Sequence, residues 1–269
     1  MELWLLPAAK AVDALELPGW SRLLARADRL PMVAPGLDAA LQAAGVRGRI
    51  PWAALCAEAH GEAPWLIADL VHARPDMNGA RLLACAVDHG EADCAPLFEA
   101  LRPWLAEEGI ELQAVRGGRA LLRCPADLPD PVTPAPDQLL GCDLRVGLPA
   151  NGSWQRRINE WQMLLAQQPG NQQRELRGLP SWNTLWCWGY GQRGDLPSLP
   201  PHQWDSSDPL LQALASVASP GPIWRDLRDP RRLARAWSEG LRPGDAILRA
   251  DDGAGWRLRG WHRLRVWRR

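Results

Sequence analysis

Five of the twelve residues from Pro125 to Pro136 are proline. Proline fixes φ and has no backbone donor, so this stretch suits neither a helix interior nor a central strand. It predicts an extended connection near the middle of the 269-residue chain. Charge changes sign just beyond it. Residues 1–140 hold 12 basic and 19 acidic side chains, net −7, and residues 141–269 hold 19 and 12, net +7. The expected organisation is an acidic lobe at 1–125, a linker at 126–140 and a basic lobe at 141–269.

A chain of this length can bury a substantial core. With 46% apolar residues and zero net charge it is not an extended disordered chain. No run approaches the ~20 apolar residues of a membrane span. Met1–Pro7 lacks a basic leader region, so the expected location is cytoplasmic, without membrane contact. Cys56, Cys85, Cys94, Cys124, Cys142 and Cys187 contain no C-x-x-C pair and read as reduced thiols. The five histidines show no zinc-ligand spacing, so no metal and no cofactor is expected. There are 16 Trp against one Tyr and one Phe, and Lys10 is the only lysine among 31 basic residues. Such skew reads as coding bias of a GC-rich genome.

Periodicity predicts an α/β protein of two lobes, each a mixed sheet covered by helices. In the first half, Leu3–Leu6 opens as a strand, and short helices cover 19–29, 36–44 and 51–60. Strands Trp65–Val71 and Arg81–Val87 flank a turn at Asp76–Gly79, a helix covers 93–108, and Ile110–Val115 and Arg119–Cys124 form a hairpin about Gly117-Gly118. These make a β-β-α-β-β unit. In the second half, Trp154, Ile158, Trp161 and Leu165 form one apolar stripe on a helix over 153–168. Period 2 puts Trp182, Thr184, Trp186 and Trp188 on one face of a strand over 182–188. Asp208-Pro209 and Asp229-Pro230 each open a helix with a cap and a preset first turn. Residues 244–250 and 255–267 read as a closing hairpin.

One stretch carries a denser pattern. Asn159-Glu160-Trp161-Gln162-Met163-Leu164-Leu165 leads to Gln168-Pro169-Gly170-Asn171-Gln172-Gln173-Arg174-Glu175, then Gly178-Leu179-Pro180-Ser181-Trp182-Asn183-Thr184-Leu185-Trp186 and Trp188-Gly189-Tyr190-Gly191. This order resembles the RpfE-type regulatory proteins of proteobacteria. Asp69-Leu70-Val71-His72-Ala73-Arg74 resembles a second segment of that family. The 159–191 run is also similar to a piece of the archaeal-type cofactor-independent phosphoglycerate mutases, metal-dependent enzymes of alkaline-phosphatase-like fold. The resemblance implies a reduced relative of that fold, with Asn171, Arg174 and Asn183 as contacts for phosphate or carboxylate. Gln168 replaces the motif's His, Gly170 its Val and Tyr190 its middle Gly. The early D-G-x-G and late D-x-x-x-H segments that would hold two metals are absent from the sequence. The implied protein is therefore a non-catalytic regulatory or binding protein, with a mutase-like phosphotransferase as the alternative.

Each candidate also has a packing reading. Asn171, Arg174, Arg177 and Asn183, with Asn159, Glu160 and Gln162 on the adjoining helix, can form an anion pocket or can shape and cap a loop. Trp186 and Trp188 stand where the family carries Trp and join that candidate site. Asp69, His72 and Arg74 form a secondary candidate, or Arg74 pairs locally with Asp76. Gly189–Gly194 can cradle phosphate or simply turn. Arg257, Arg259, Arg263 and Arg265 interleave with Trp and can contact nucleic acid. Their packing reading, an edge strand kept soluble by arginine, outweighs nucleic-acid contact. The opposite charges of the halves also allow a protein partner or self-association.

Overall fold

A computed structural model describes residues 1–58, 61–77, 79–87 and 90–265. In chain order the elements are β1 (Glu2–Leu6), α1 (Ala9–Asp13), α2 (Trp20–Arg26), β2 (Asp28–Leu30), α3 (Leu37–Ala43), α4 (Trp52–Cys56), β3 (Trp65–Asp76), β4 (Gly79–Cys85), α5 (Glu91–Glu107), β5 (Glu111–Arg116) and β6 (Arg119–Arg123). They continue with α6 (Gly152–Ala166), α7 (Pro169–Leu176), β7 (Thr184–Gly191), β8 (Gln203–Asp205), α8 (Pro209–Ala215), β9 (Ile223–Asp226), α9 (Pro230–Ser238), β10 (Ala246–Ala250) and β11 (Gly255–Leu258). The protein is α/β with two sheets, as the periodicity predicts. None of the described helices is long and apolar enough to cross a membrane.

The compact units are not the two sequence halves. One comprises Met1–Arg49 with Pro197–Arg269, the other Ile50–Leu196. The cause is strand pairing: β1 lies parallel to both β10 and β9, so the two ends of the chain build one sheet. Charge follows these units. The first holds 19 basic and 13 acidic residues, the second 12 and 18.

The first unit has a mixed sheet of order β2-β11-β10-β1-β9-β8, whose strands β10, β1, β9 and β8 run parallel. Trp4, Leu6, Trp20, Leu233, Trp237 and Leu248 form a core on one face. The Asp-Pro starts work as the sequence predicts: Asp208 and Asp229 accept the N–H groups of Leu210 and Arg231. The predicted strand over 255–267 ends early, at Leu258. Gly260–Leu264 turns into a 3-10 helix, and residues 266–269 lie outside the described residues. The sequence reading did not foresee β2, β8 and β9, which are too short to show alternation.

The second unit has an antiparallel sheet of order β4-β3-β6-β5, with β7 on the other side of β3. The β-β-α-β-β unit is present, and α5 runs through Pro96 and Pro103. Asn78, in the predicted Asp76–Gly79 turn, lies outside the described residues. The α6 stripe of Trp154, Ile158, Trp161 and Leu165 is buried throughout. Burying such side chains contributes roughly 1.5–3 kcal/mol each. Trp154 and Trp161 meet edge to face at 6.2 Å.

The proline segment is no free linker. It packs on the second unit, where its carbonyls are used: Pro129 accepts from Trp154 Nε1 at 2.7 Å, Pro134 from Trp186 Nε1 at 2.9 Å and Leu128 from the Tyr190 hydroxyl at 2.9 Å. Thr133 Oγ1 donates to the Cys187 carbonyl. A segment poor in donors is well matched to tryptophans that need acceptors.

Strand β7 corrects the predicted tryptophan face. Trp182 precedes the strand and joins the core with Leu185 and Cys187. Trp186 pairs across from Asp69 and Trp188 from Ile67, on the opposite face. The register then shifts opposite Trp65–Ile67, with Gly189 at φ +67°, a conformation that favours glycine. That bulge turns Tyr190 back to the core, so Gly189-Tyr190-Gly191 is strand and bulge, not a phosphate cradle.

Candidate functional site

The motif residues are engaged with the chain's own backbone. Asn171, on α7, is 1% exposed. Its Nδ2 donates to the Leu165 carbonyl at 2.8 Å and the Trp182 carbonyl at 3.0 Å, and its Oδ1 accepts the Trp182 N–H at 2.7 Å. Arg174, one turn on, donates from Nε to the Pro180 carbonyl at 2.9 Å and pairs with Asp93 at 3.1 Å. Its guanidinium lies 4.7 Å from the centre of the Trp182 ring. Asn183 extends the β7 ladder with its side chain, accepting the Ala73 N–H at 2.9 Å and donating to the Ala73 carbonyl at 2.8 Å. Gln162 reaches Thr184 Oγ1 at 2.9 Å. Asn159 and Glu160 are exposed, with Glu160 4.0 Å from Arg156, and Arg177 is exposed. Asn171, Arg174 and Asn183 thus make separate contacts to the chain's own backbone and do not converge on one ligand position.

The secondary candidates also separate. Asp69 is fully buried and holds Arg119 through two bonds of 2.7 and 2.8 Å, while its Oδ2 accepts Trp188 Nε1 at 2.8 Å. His72 Nδ1 donates to the Ser181 carbonyl at 2.8 Å. Arg74 is exposed, and Asp76 pairs with Arg81 at 2.7 Å, not with Arg74 as expected. The described C-terminal arginines differ in setting. Arg257 lies on β11, an interior strand between β10 and β2, which corrects the expected edge strand. Arg259 is exposed, and Arg265 is buried and bonds Asp28 at 2.6 Å. The side chain of Arg263 lies outside the described residues.

No group of three or more metal-ligating side chains occurs among the described residues. Burial pushes the Cys85 and Cys124 thiols up to about 12 and Cys94 to about 11, and raises Cys187 as well. Cys142 is exposed. Only thiolates alkylate readily, so native labelling at mildly alkaline pH is expected to modify Cys142 first. Cys142→Ser should abolish the fast phase, and a fast phase that survives would refute this assignment.

A different constellation lies in the first unit, where β8 and β9 end side by side at Asp205 and Asp226. Ser206, Asp208 and Arg228 tie those ends together. The Ser206 hydroxyl donates to Asp226 at 2.9 Å and accepts the Asp208 N–H at 3.0 Å. Arg228 bonds Asp226 at 2.8 Å and Asp208 at 2.6 Å. Burial alone would raise the Asp226 carboxyl, but bonds to Arg228 and Ser206 outweigh it and hold it below the usual range. Beside this brace lies an open cleft of about 500 Å3, lined by Asp205, Ser206, Ser207, Asp229, Arg231, Arg232 and Arg235. Arg232 pairs with Asp205. Arg231 and Arg235 are exposed and form no ion pair with a described residue.

The sequence reading missed this cleft, though a signal was present. Arginines at 231 and 232 occupy the first turn of α9, where the helix macrodipole disfavours cations, and that turn holds no acidic residue.

No family model and no curated protein matches the chain. Among solved structures it is similar to a cofactor-independent phosphoglycerate mutase from Thermoplasma acidophilum DSM 1728, at 14% identity and a TM-score of 0.39 over 95% of this chain and 88% of that one. It is also similar to a Pyrococcus horikoshii protein, at 11% identity and a TM-score of 0.43 over 92% and 80%.

Proposed function

We propose that the chain is a non-catalytic regulatory or binding protein of RpfE type that recognises a small anionic ligand. The working surface is the cleft beside β8 and α9, in place of the 159–191 segment. The observation that carries this reading is the pair Arg231 and Arg235, one helical turn apart on the cleft wall without carboxylate partners among the described residues. A planar guanidinium makes two charge-assisted bonds to phosphate or carboxylate, and two of them a turn apart can hold one oxyanion. The Asp226–Arg228–Asp208 brace lies beside the cleft and holds Ser206 of its lining, which limits the ordering that binding requires.

Thermal unfolding with inorganic phosphate tests this. At ten times its Kd, a ligand of the folded state alone stabilises by about 1.4 kcal/mol. That corresponds to a rise in Tm of roughly 3–6 °C. The Arg231→Gln, Arg235→Gln double variant should keep the ligand-free Tm and lose the rise. No rise with phosphate in the wild type, or an equal rise in the variant, would refute the assignment.

A further inference from the structure

The cleft offers more than cations. Three guanidinium groups and two carboxylates line it, so its local charge is only +1. Asp205 gives one oxygen, Oδ1, to Arg232, and Asp229 gives Oδ1 to the Arg231 N–H. Each carboxylate therefore has a second oxygen with unused acceptor capacity beside the cleft. Ser207 adds an exposed hydroxyl.

This inventory discriminates between kinds of anion. A compact polyanion such as pyrophosphate or citrate would meet two carboxylates along with the arginines, and like charges in contact cost affinity. A bare phosphate would leave the second oxygen of each carboxylate without a donor from the ligand. The matching ligand carries one compact anionic group and, a few ångströms away, neutral hydroxyls that donate hydrogen bonds. A hydroxyl donating to a carboxylate makes a charge-assisted bond without adding charge. The volume, about 500 Å3, falls within the range of small-molecule sites.

Resting on the anion-binding reading above, we infer that the ligand of this cleft is the phosphomonoester of a polyhydroxylated molecule, a sugar phosphate in chemical class. Arg231 and Arg235 hold the phosphate. Asp205 and Asp229 accept the hydroxyls and set the selectivity, so a second carboxylate on the ligand is rejected.

Titration calorimetry of the full chain with glucose 6-phosphate, inorganic phosphate, glucose and 3-phosphoglycerate decides the matter. Glucose 6-phosphate should bind about tenfold or more tighter than inorganic phosphate, because each charge-assisted bond gained contributes at least that factor. 3-Phosphoglycerate, which places a carboxylate where hydroxyls are wanted, should gain no such advantage, and glucose alone should bind weakest. Asp229→Asn keeps the helix cap, since Asn caps as well as Asp, but replaces the spare carboxylate oxygen with a donor. That variant and Asp205→Asn should each reduce the preference for glucose 6-phosphate and leave phosphate binding intact. Asp205→Asn should strengthen phosphate binding if anything, because it frees Arg232. Equal affinity for phosphate and glucose 6-phosphate would overturn the sugar-phosphate assignment while anion binding stands. So would a preference that survives both Asn variants, or 3-phosphoglycerate binding as tightly as glucose 6-phosphate. Failure of every phosphate compound to bind would overturn both readings.

Discussion

Replacing Arg119 with leucine is expected to destabilise the second unit by about 3–5 kcal/mol, the usual cost of breaking a buried ion pair from one side. Asp69 is fully buried on β3, with strands on both sides. Three donors serve its carboxylate, and Arg119 supplies two of them. Burial favours deprotonating Arg119, but the charge of Asp69 and two hydrogen bonds outweigh it and raise its pKa above the ordinary value. Without Arg119 the carboxylate keeps only the Trp188 N–H. The ring of Trp188 also loses the guanidinium that lies 5.3 Å from its centre. Urea unfolding of Arg119→Leu, alongside the Asp69→Leu, Arg119→Leu double variant, separates the pair from its members. The double variant should recover most of the loss, because a buried pair exchanged for apolar side chains is often close to neutral. A loss below about 1 kcal/mol in the single variant, typical of an exposed pair, would show that water reaches Asp69.

The same cluster shows how far the sequence could be read. Asp69 and Arg119 are fifty residues apart, and no local pattern links them. Their partnership needs β6 paired to β3 in the register that sets Asp69 against Arg119. What could be read was periodic and local. The α6 stripe, the Asp-Pro helix starts and the hairpin before β6 follow from spacing alone. Long-range closure was not legible. The pairing of β1 with β9 and β10 overrides the divide that charge and proline suggest. The proline segment looks like a linker in sequence because its lack of donors is visible, whereas the two tryptophans and the tyrosine that use its carbonyls lie 25, 52 and 62 residues away. The motif run was legible as dense polar order but not as the inward-facing brace it forms. The Arg231–Arg235 cleft needed the adjacency of two short parallel strands that periodicity could not register.

Asn171→Ala is the sharper test of that brace, with an expected loss of about 2–4 kcal/mol. The side chain satisfies two carbonyls and one N–H, all buried, and alanine would orphan the Trp182 carbonyl and N–H, whereas the Leu165 carbonyl keeps the Gln168 N–H at 3.2 Å. Each buried group left without a partner costs roughly 1–3 kcal/mol, less whatever relaxation recovers. Asn171→Asp is nearly isosteric but should be at least as damaging, because it would aim carboxylate oxygens at the Leu165 and Trp182 carbonyls. Arg174→Ala should also destabilise, through loss of the Pro180 bond and the stacking on Trp182. The two side chains hold the same end of the loop that leads into β7, at Pro180 and Trp182, so their effects should be non-additive in a double-mutant cycle. A motif that served a ligand from the protein surface would behave differently: both substitutions would leave urea unfolding unchanged and abolish the phosphate-dependent rise in Tm. If they lower stability and retain that rise, the motif positions β7 against the helices, and recognition rests with the arginines of the other unit.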